Sequence, residues 1–247
     1  MNFIAKETDT DYIHSFRFHS GLNLTLLPAE DRAALEQYSK AIKARKKSLL
    51  FGEGESPKGL YILLKGKVKI SRLNPDGSEQ IFFICASGDM FGHRAILGAT
   101  KHTHSVTAIE ECELLFVEKP DFLTAIKRSE DLLCLFLTGM SREFSMLTNM
   151  INVLMRKSIR ERTAYFLLLL NEKYKLPGQV VDESEIRVSR TDLASYIGAS
   201  IENLIRTIKE FKDKDYVRVD GKSIYIRNFE ALYALIDPRA SDAAIKG

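Results

Sequence analysis

The chain has 247 residues, 45% of them hydrophobic, with 36 basic against 33 acidic side chains and a net charge of +3. That length suits one or two globular domains with a real core, and so small a net charge does not by itself imply nucleic acid. The longest apolar run, residues 164–170, is far shorter than the ~20 residues a membrane span needs, and the opening MNFIAKETDTDY lacks the basic-then-apolar order of a signal peptide, so a cytoplasmic protein with no membrane partner is expected.

Residues 1–27 show no clear period and are expected to form an extension or a first strand. His14 and His19 there do not stand at a metal-ligand spacing. Residues 28–40, PAEDRAALEQYSK, predict a short helix with Pro28 at its start and acids in its first turn. From Ala41 to Val117 the chain turns into short Val/Ile/Leu/Phe-rich runs punctuated by glycines, the pattern of an all-β barrel or jelly roll. GLYILLKGK and VKISRL are expected as adjacent strands, with NPDGSE turning into QIFFICA. Residues 119–127 predict a brief helix. Cys85, Cys112 and Cys134 show no CxxC or Cys/His spacing, so reduced thiols and no metal site are expected.

Leu133, Leu137, Met140, Phe144, Leu147, Ile151 and Leu154 are spaced 4-3-4-3-4-3, an uninterrupted heptad seam. Such a seam needs a partner, either this chain's own barrel or a second copy. Gly139 weakens the helix by about 1 kcal/mol and marks a bend or a close contact. The seam fades near Lys157, the expected hinge, before RERTAYFLLLLNEKY begins another helix and KLPGQVVDESE leads on as a loop.

The segment from Val188 to Arg227 carries the plan of a winged helix-turn-helix. Ser189 stands where an N-cap should, with Asp192 three residues on, while Leu193, Ala194 and Ile197 give the first helix a buried stripe. Gly198 is placed to end it in a left-handed cap. Ser200 can cap the second helix, which is expected to run to about Lys214. Asp220-Gly221 is a two-residue turn signal between YVRV and SIYI, the wing.

At 100° per residue, Leu204, Ile208 and Phe211 share a narrow arc as the core face of the second helix, with Glu202, Arg206 and Lys209 opposite. Glutamate accepts from cytosine N4 and arginine donates bidentately to guanine O6 and N7, so this pair fits a G·C step in a major groove, with Ile201 and Ile205 flanking for a thymine methyl. Ser189, Arg190, Ser200 and Asn203 complete the expected DNA-contacting set. Up to Met155 the chain has 19 basic and 19 acidic side chains, against 15 and 11 from Arg156 to Arg227, so the positive excess lies with this reader.

A β-roll, a long helix and a C-terminal winged helix-turn-helix, in that order, resemble the cyclic AMP receptor and fumarate-nitrate reductase regulator (Crp/Fnr) family. The resemblance rests on FGEGESPKGLYILLKGKVKI and GDMFG in the roll and on DLASYIGASIENLIRTIKEF in the reader. It implies an α+β fold with a cyclic-nucleotide-binding-type β-roll (28–128) after the extension (1–27), a dimerisation helix (129–156), and a winged helix-turn-helix domain (157–247). It implies a homodimeric, non-enzymatic transcriptional regulator acting with RNA polymerase on a pseudo-palindrome of double-stranded DNA, Glu202 and Arg206 reading TGA-type half-sites about 34 Å apart. No nucleophile elbow, phosphate loop or HExxH points to an enzyme.

The ligand cassette departs from the family. Cyclic-nucleotide-binding members carry a glutamate after the Phe-Gly pair, here Phe91 and Gly92, and an arginine before a serine, here Ser105. This chain has His93 and His104 in those places. Histidine, with a reference pKa of about 6.5, is mostly neutral at pH 7 and offers one N–H where a guanidinium offers a charged pair of donors. Losing a charge-assisted bond of about 1.5 to 3 kcal/mol weakens binding on the order of 10- to 100-fold, so cyclic AMP is not expected as the physiological effector unless Arg94 or Lys101 compensates. His93, His102 and His104, with Met90 and Cys85, raise the alternative of a haem or gas sensor, against the ordinary expectation that loop histidines are solvated. In that alternative the C-terminal domain is chiefly an interaction module and Glu202, Arg206 and Lys209 are idle. Three thiols, none before Cys85, argue against an iron-sulfur type.

Overall fold

The computed structural model describes residues 22–174 and 185–236. His14, His19 and most of the KLPGQVVDESE loop lie outside the described residues. After a 3-10 turn, Leu24–Leu26, helix α1 spans Ala29–Gln37 with Pro28 as its N-cap. The helix is shorter than expected. Tyr38 caps it, and Ser39–Ala44 extends into strand β1, because there the backbone pairs with β8, Cys112–Glu118. Acids and alanines favour helix in isolation, but a sheet edge supplies a full ladder of bonds.

The roll consists of two four-stranded antiparallel sheets. One runs β1, β8, β3 (Gly59–Lys65) and β6 (Met90–Phe91). The other runs β2 (Leu49–Phe51), β7 (Ser105–Ala108), β4 (Val68–Leu73) and β5 (Glu79–Cys85). β3 and β4 are therefore not neighbours, contrary to the expectation from sequence. They follow each other in the chain across Gly66-Lys67 but belong to opposite sheets, each taking its hydrogen-bonding partners elsewhere. The NPDGSE turn does join β4 to β5, with Asp76 accepting from the Ser78 N–H and hydroxyl.

Short helices α2 (His93–Leu97) and α3 (Lys119–Arg128) flank the roll, and α4 runs from Glu130 to Arg156 with Ser129 accepting from the Leu132 N–H at its start. One stripe of α4, including Leu132, Phe136, Gly139, Glu143, Met150 and Val153, is buried against the chain. Gly139 marks a close contact: a Cβ there would stand 2.3 Å from Leu22 Cγ. The heptad seam is on the other side. Leu133, Leu137, Met140, Phe144 and Ile151 are exposed, Phe144 at 74%, so the seam does not pack on the roll of its own chain. Leu147 is half-buried, and Leu154 departs from the expected seam by packing against the core of the C-terminal part.

Helix α5, Ile159–Tyr174, is almost wholly buried from Thr163 to Asn171. It underlies α6 (Arg190–Ile197), α7 (Ile201–Asp213) and α8 (Phe229–Ile236). A three-stranded sheet completes this part, in the order β10 (Val217–Asp220), β11 (Ser223–Ile226), β9 (Ile186–Arg187). Asp220 pairs with Ser223, so the two residues of the wing turn are Gly221 and Lys222, one position later than expected. β9 was not legible in the sequence because two residues carry no period.

Candidate functional site

The helix pair forms as its caps dictate. Ser189 Oγ accepts from the Asp192 N–H at 3.0 Å, capping α6, and donates to the Asp192 carboxylate at 2.6 Å. At the other end of α6, Gly198 has φ +67°, the left-handed cap that a Cβ would strain. Ser200 Oγ accepts from the Asn203 N–H at 3.3 Å and starts α7.

On α7, Leu204, Thr207, Ile208 and Phe211 are buried, while Ile201, Glu202, Ile205, Arg206 and Lys209 are exposed. Asn203 is half-buried and its side-chain oxygen accepts from Arg206 Nη2 at 2.6 Å, which holds the guanidinium on the open face. Arg190 is half-buried and donates to the Lys222 carbonyl at 3.2 Å, tying α6 to the wing. Ser189 and Ser200 spend their hydroxyls on capping. The structure thus brings Glu202, Arg206, Lys209 and the two isoleucines onto one face.

The second feature is a cavity with about 850 Å³ of empty space, its open mouth included, between the roll, α4 and the C-terminal part. Phe91, Gly92, His93, Arg94 and His104 line it. Ser105 lies beside it and accepts from the Glu53 N–H at 3.0 Å. The histidines are not solvated loop residues as expected: His93 and His102 are buried and His104 half-buried. His93 Nε2 lies 3.4 Å from a Glu143 carboxylate oxygen, which Arg94 Nε also approaches at 2.9 Å. Arg94 stacks on Phe83. His102 stacks on Phe51 at 3.8 Å, and His104 meets Phe82 edge-on and contacts Thr103.

Burial, and then the Arg94 guanidinium, hold the His104 imidazole below its usual pKa, so it is neutral at pH 7 and offers a phosphate no charge. His102 is lowered by burial likewise. The three histidines engage separate partners, and no group of three His, Cys, Asp or Glu residues among the described residues could hold a metal ion. Cys85 is buried, with its thiol pushed up to about 12 by desolvation, and is a poor ligand at neutral pH.

Sequence reasoning missed the far wall of the cavity: Glu143 and Met146 on α4, Leu169 and Lys173 on α5, Tyr196 on α6, and Asp89. One signal was present, since Glu143 falls on the second stripe of α4, four residues beyond Gly139, where a buried acid requires a cation.

Comparison with known proteins agrees with both halves. Residues 41–129 match the family described as cyclic nucleotide-binding domain, and residues 161–235 that described as Crp-like helix-turn-helix domain. The "Fumarate and nitrate reduction regulatory protein" of Salmonella typhimurium is 30% identical over 194 residues, covering 77% of this chain and 76% of that protein. The "CRP-like cAMP-activated global transcriptional regulator" of Mycobacterium tuberculosis is 27% identical over 200 residues, 81% of this chain and 89% of that protein. The fold is that of FixK2 from Bradyrhizobium japonicum, with a TM-score of 0.71 at 23% identity over 80% of this chain and 96% of that one. The chain belongs to the Crp/Fnr family of transcriptional regulators, and it is a DNA-binding regulator and not an enzyme.

Proposed function

We propose that the protein acts as a homodimer on a pseudo-palindromic DNA site with TGA-type half-sites, reading each through Glu202 and Arg206. The observation that carries this is the split of α7 into a buried Leu204/Ile208/Phe211 face and an exposed face on which Asn203 orients Arg206. Glu202 accepts from cytosine N4, Arg206 donates to guanine, Ile201 and Ile205 take apolar contacts, and Lys209 takes a phosphate. Ser189, Arg190, Ser200 and Asn203 shape this face from behind. Two copies joined along the α4 seam set the half-sites about one DNA turn apart and present the complex to RNA polymerase in the cytoplasm.

Control by a small molecule enters through the cavity beside Phe91, Gly92, His93, Arg94, His104 and Ser105. Cyclic AMP at physiological levels is not that molecule, because neutral His104 stands where the family places a guanidinium, and Arg94 is already taken by Glu143. Haem finds little support in histidines committed to Glu143, Phe51 and Phe82.

One gel-shift experiment tests the reading. A duplex selected by the protein from a random pool is titrated with wild type and Arg206→Ala, with and without micromolar cyclic AMP. Arg206→Ala is expected to cost about 1 to 3 kcal/mol on the selected site and to relax preference at one base pair, with nonspecific binding little changed. An unaltered preference overturns the assignment of α7, and stronger binding with cyclic AMP overturns the reading of the cassette.

A further inference from the structure

We propose that the cavity is a gated anion site: the Glu143 carboxylate fills the place on Arg94 that the charge of a small organic anion would take, and the effector is such an anion, which binds by displacing Glu143. This rests on the cavity being the point where control enters. Glu143 comes from α4, whereas His93 and Arg94 open α2, 50 and 49 residues earlier in the chain. Its carboxylate is thus a tethered ligand of the cassette. It uses one position on the guanidinium, Nε at 2.9 Å. Among the described residues Arg94 has no other ion pair or hydrogen bond, and its side chain is 33% exposed, so its two terminal nitrogens keep their donors for another acceptor. The same charge extends to His104, where the family carries its phosphate-binding arginine, and helps to lower that imidazole's pKa.

A second observation points to a ligand independently. His93 is 2% exposed and its Nδ1 has no hydrogen-bond partner, on a ring that lines the cavity. Nε2 faces Glu143, so Nδ1 is the atom left over, and buried polar atoms without partners are rare. The charges of the wall favour an anion. Besides its histidines the cavity is lined by Arg94, Lys101 and Lys173 against Asp89 and Glu143. Lys173 and Asp89 close on each other at 2.7 Å, while Lys101 is exposed and has no ion pair among the described residues. One positive charge is in excess. The rest of the wall is apolar, with Phe83 4.7 Å from the Arg94 guanidinium and Phe91, Met146 and Leu169 around it, which suits an organic body and not a bare inorganic ion.

Displacement has a structural consequence. An anion that takes Arg94 leaves Glu143 with His93 alone, and a buried carboxylate short of a cation is costly, so α4 shifts to bring it to water. That helix carries the seam and leads into the reader, which ties occupancy of the site to the placing of α7.

The test titrates full-length wild type, Glu143→Gln and Glu143→Gln/Arg94→Gln by calorimetry with cyclic AMP as the anionic probe and adenosine as its uncharged counterpart. Glu143→Met serves in place of Glu143→Gln if the amide does not fold. Removing the internal carboxylate is expected to tighten cyclic AMP binding on the order of 10- to 100-fold, the worth of a charge-assisted bond regained, and to let cyclic AMP raise the melting temperature of the variant more than that of wild type. Adenosine should bind wild type and Glu143→Gln alike, and the double variant should lose the gain. Equal or unmeasurable cyclic AMP binding by wild type and Glu143→Gln overturns the proposal, as does an equal gain for adenosine, which would mean that the cavity had only loosened. Micromolar cyclic AMP binding by the wild type overturns instead the exclusion of cyclic AMP above. A gain in Glu143→Gln that leaves DNA affinity unmoved by cyclic AMP supports the site and overturns only the control of α7 through it.

Discussion

Glu143 keeps its charge inside the protein because His93 and the Arg94 guanidinium both reach it. Burial raises the cost of ionising this carboxyl, but the hydrogen bond and charge of His93 and the Arg94 guanidinium outweigh that, and its pKa is held below the ordinary 4.5. A carboxyl depressed in the folded state stabilises the fold fully above its unfolded pKa, and that stability is lost as pH falls through the lower folded value. Glu143→Gln should therefore cost about 2 to 4 kcal/mol at pH 7, since it strands His93 and Arg94 at a largely buried position. The difference from wild type should shrink below pH 4.5 in denaturant melts taken from pH 7 down to pH 3. A gap that does not change with pH would show that the amide merely packs badly. His93 and His104 were legible in the sequence as departures from the family's cassette. Their environment was not, because the partner Glu143 is 50 residues away in the chain.

At the level of elements, what the sequence showed best was held by local chemistry. The Ser189 and Ser200 caps, the Gly198 stop and the buried arc of α7 depend on residues within a few positions of one another, and each stands as expected. What it showed poorly depended on distant pairing: the end of α1, the assignment of β3 and β4 to opposite sheets, and the strand β9. The α4 seam lies between these cases, since its spacing was plain but its partner was not. With Leu137, Phe144 and Ile151 all more than half exposed in the single chain, the seam is open to the second copy proposed above. Phe144→Asp should leave the monomer's helix content unchanged, because this side chain is 74% exposed, and should dissociate the dimer. Burying a phenylalanine is worth about 1.5 to 3 kcal/mol and occurs twice in a two-fold interface, so the dissociation constant should rise on the order of 100-fold or more in sedimentation equilibrium. A dimer of undiminished affinity would move the interface off this seam.

On the scale of the whole molecule, the roll and the reader are not separate bodies on a string. Ile81 and Ile84 of β5 belong to the same continuous core as α5, α6 and α7, although the matched families divide the chain between residues 129 and 161. Two ion pairs close this seam: Lys173 to Asp89 at 2.7 Å, both nearly buried, and Lys69 to Asp192 at 2.6 Å. Lys173, Asp89 and Tyr196 also line the cavity, so a molecule entering beside the cassette would bear on α6 itself as well as on α4. Such a ligand shifts the balance between arrangements only as far as it binds one of them better. A shared core predicts shared cooperativity, with the intact protein unfolding in one calorimetric transition. Asp89→Asn leaves the Lys173 ammonium largely buried without its counter-charge, a defect of about 3 to 5 kcal/mol when such a pair is broken. It should lower the melting temperature and separate the transition into a roll step and a reader step. Lys173→Met, which removes the charge and keeps the apolar stem, should leave the reader less weakened than Asp89→Asn does, because Asp89 still accepts from the Ala86 N–H at 3.0 Å. Two transitions in the wild type, or equal damage from both substitutions, would mean that the contact between roll and reader is too weak to carry a signal from the cavity to α6.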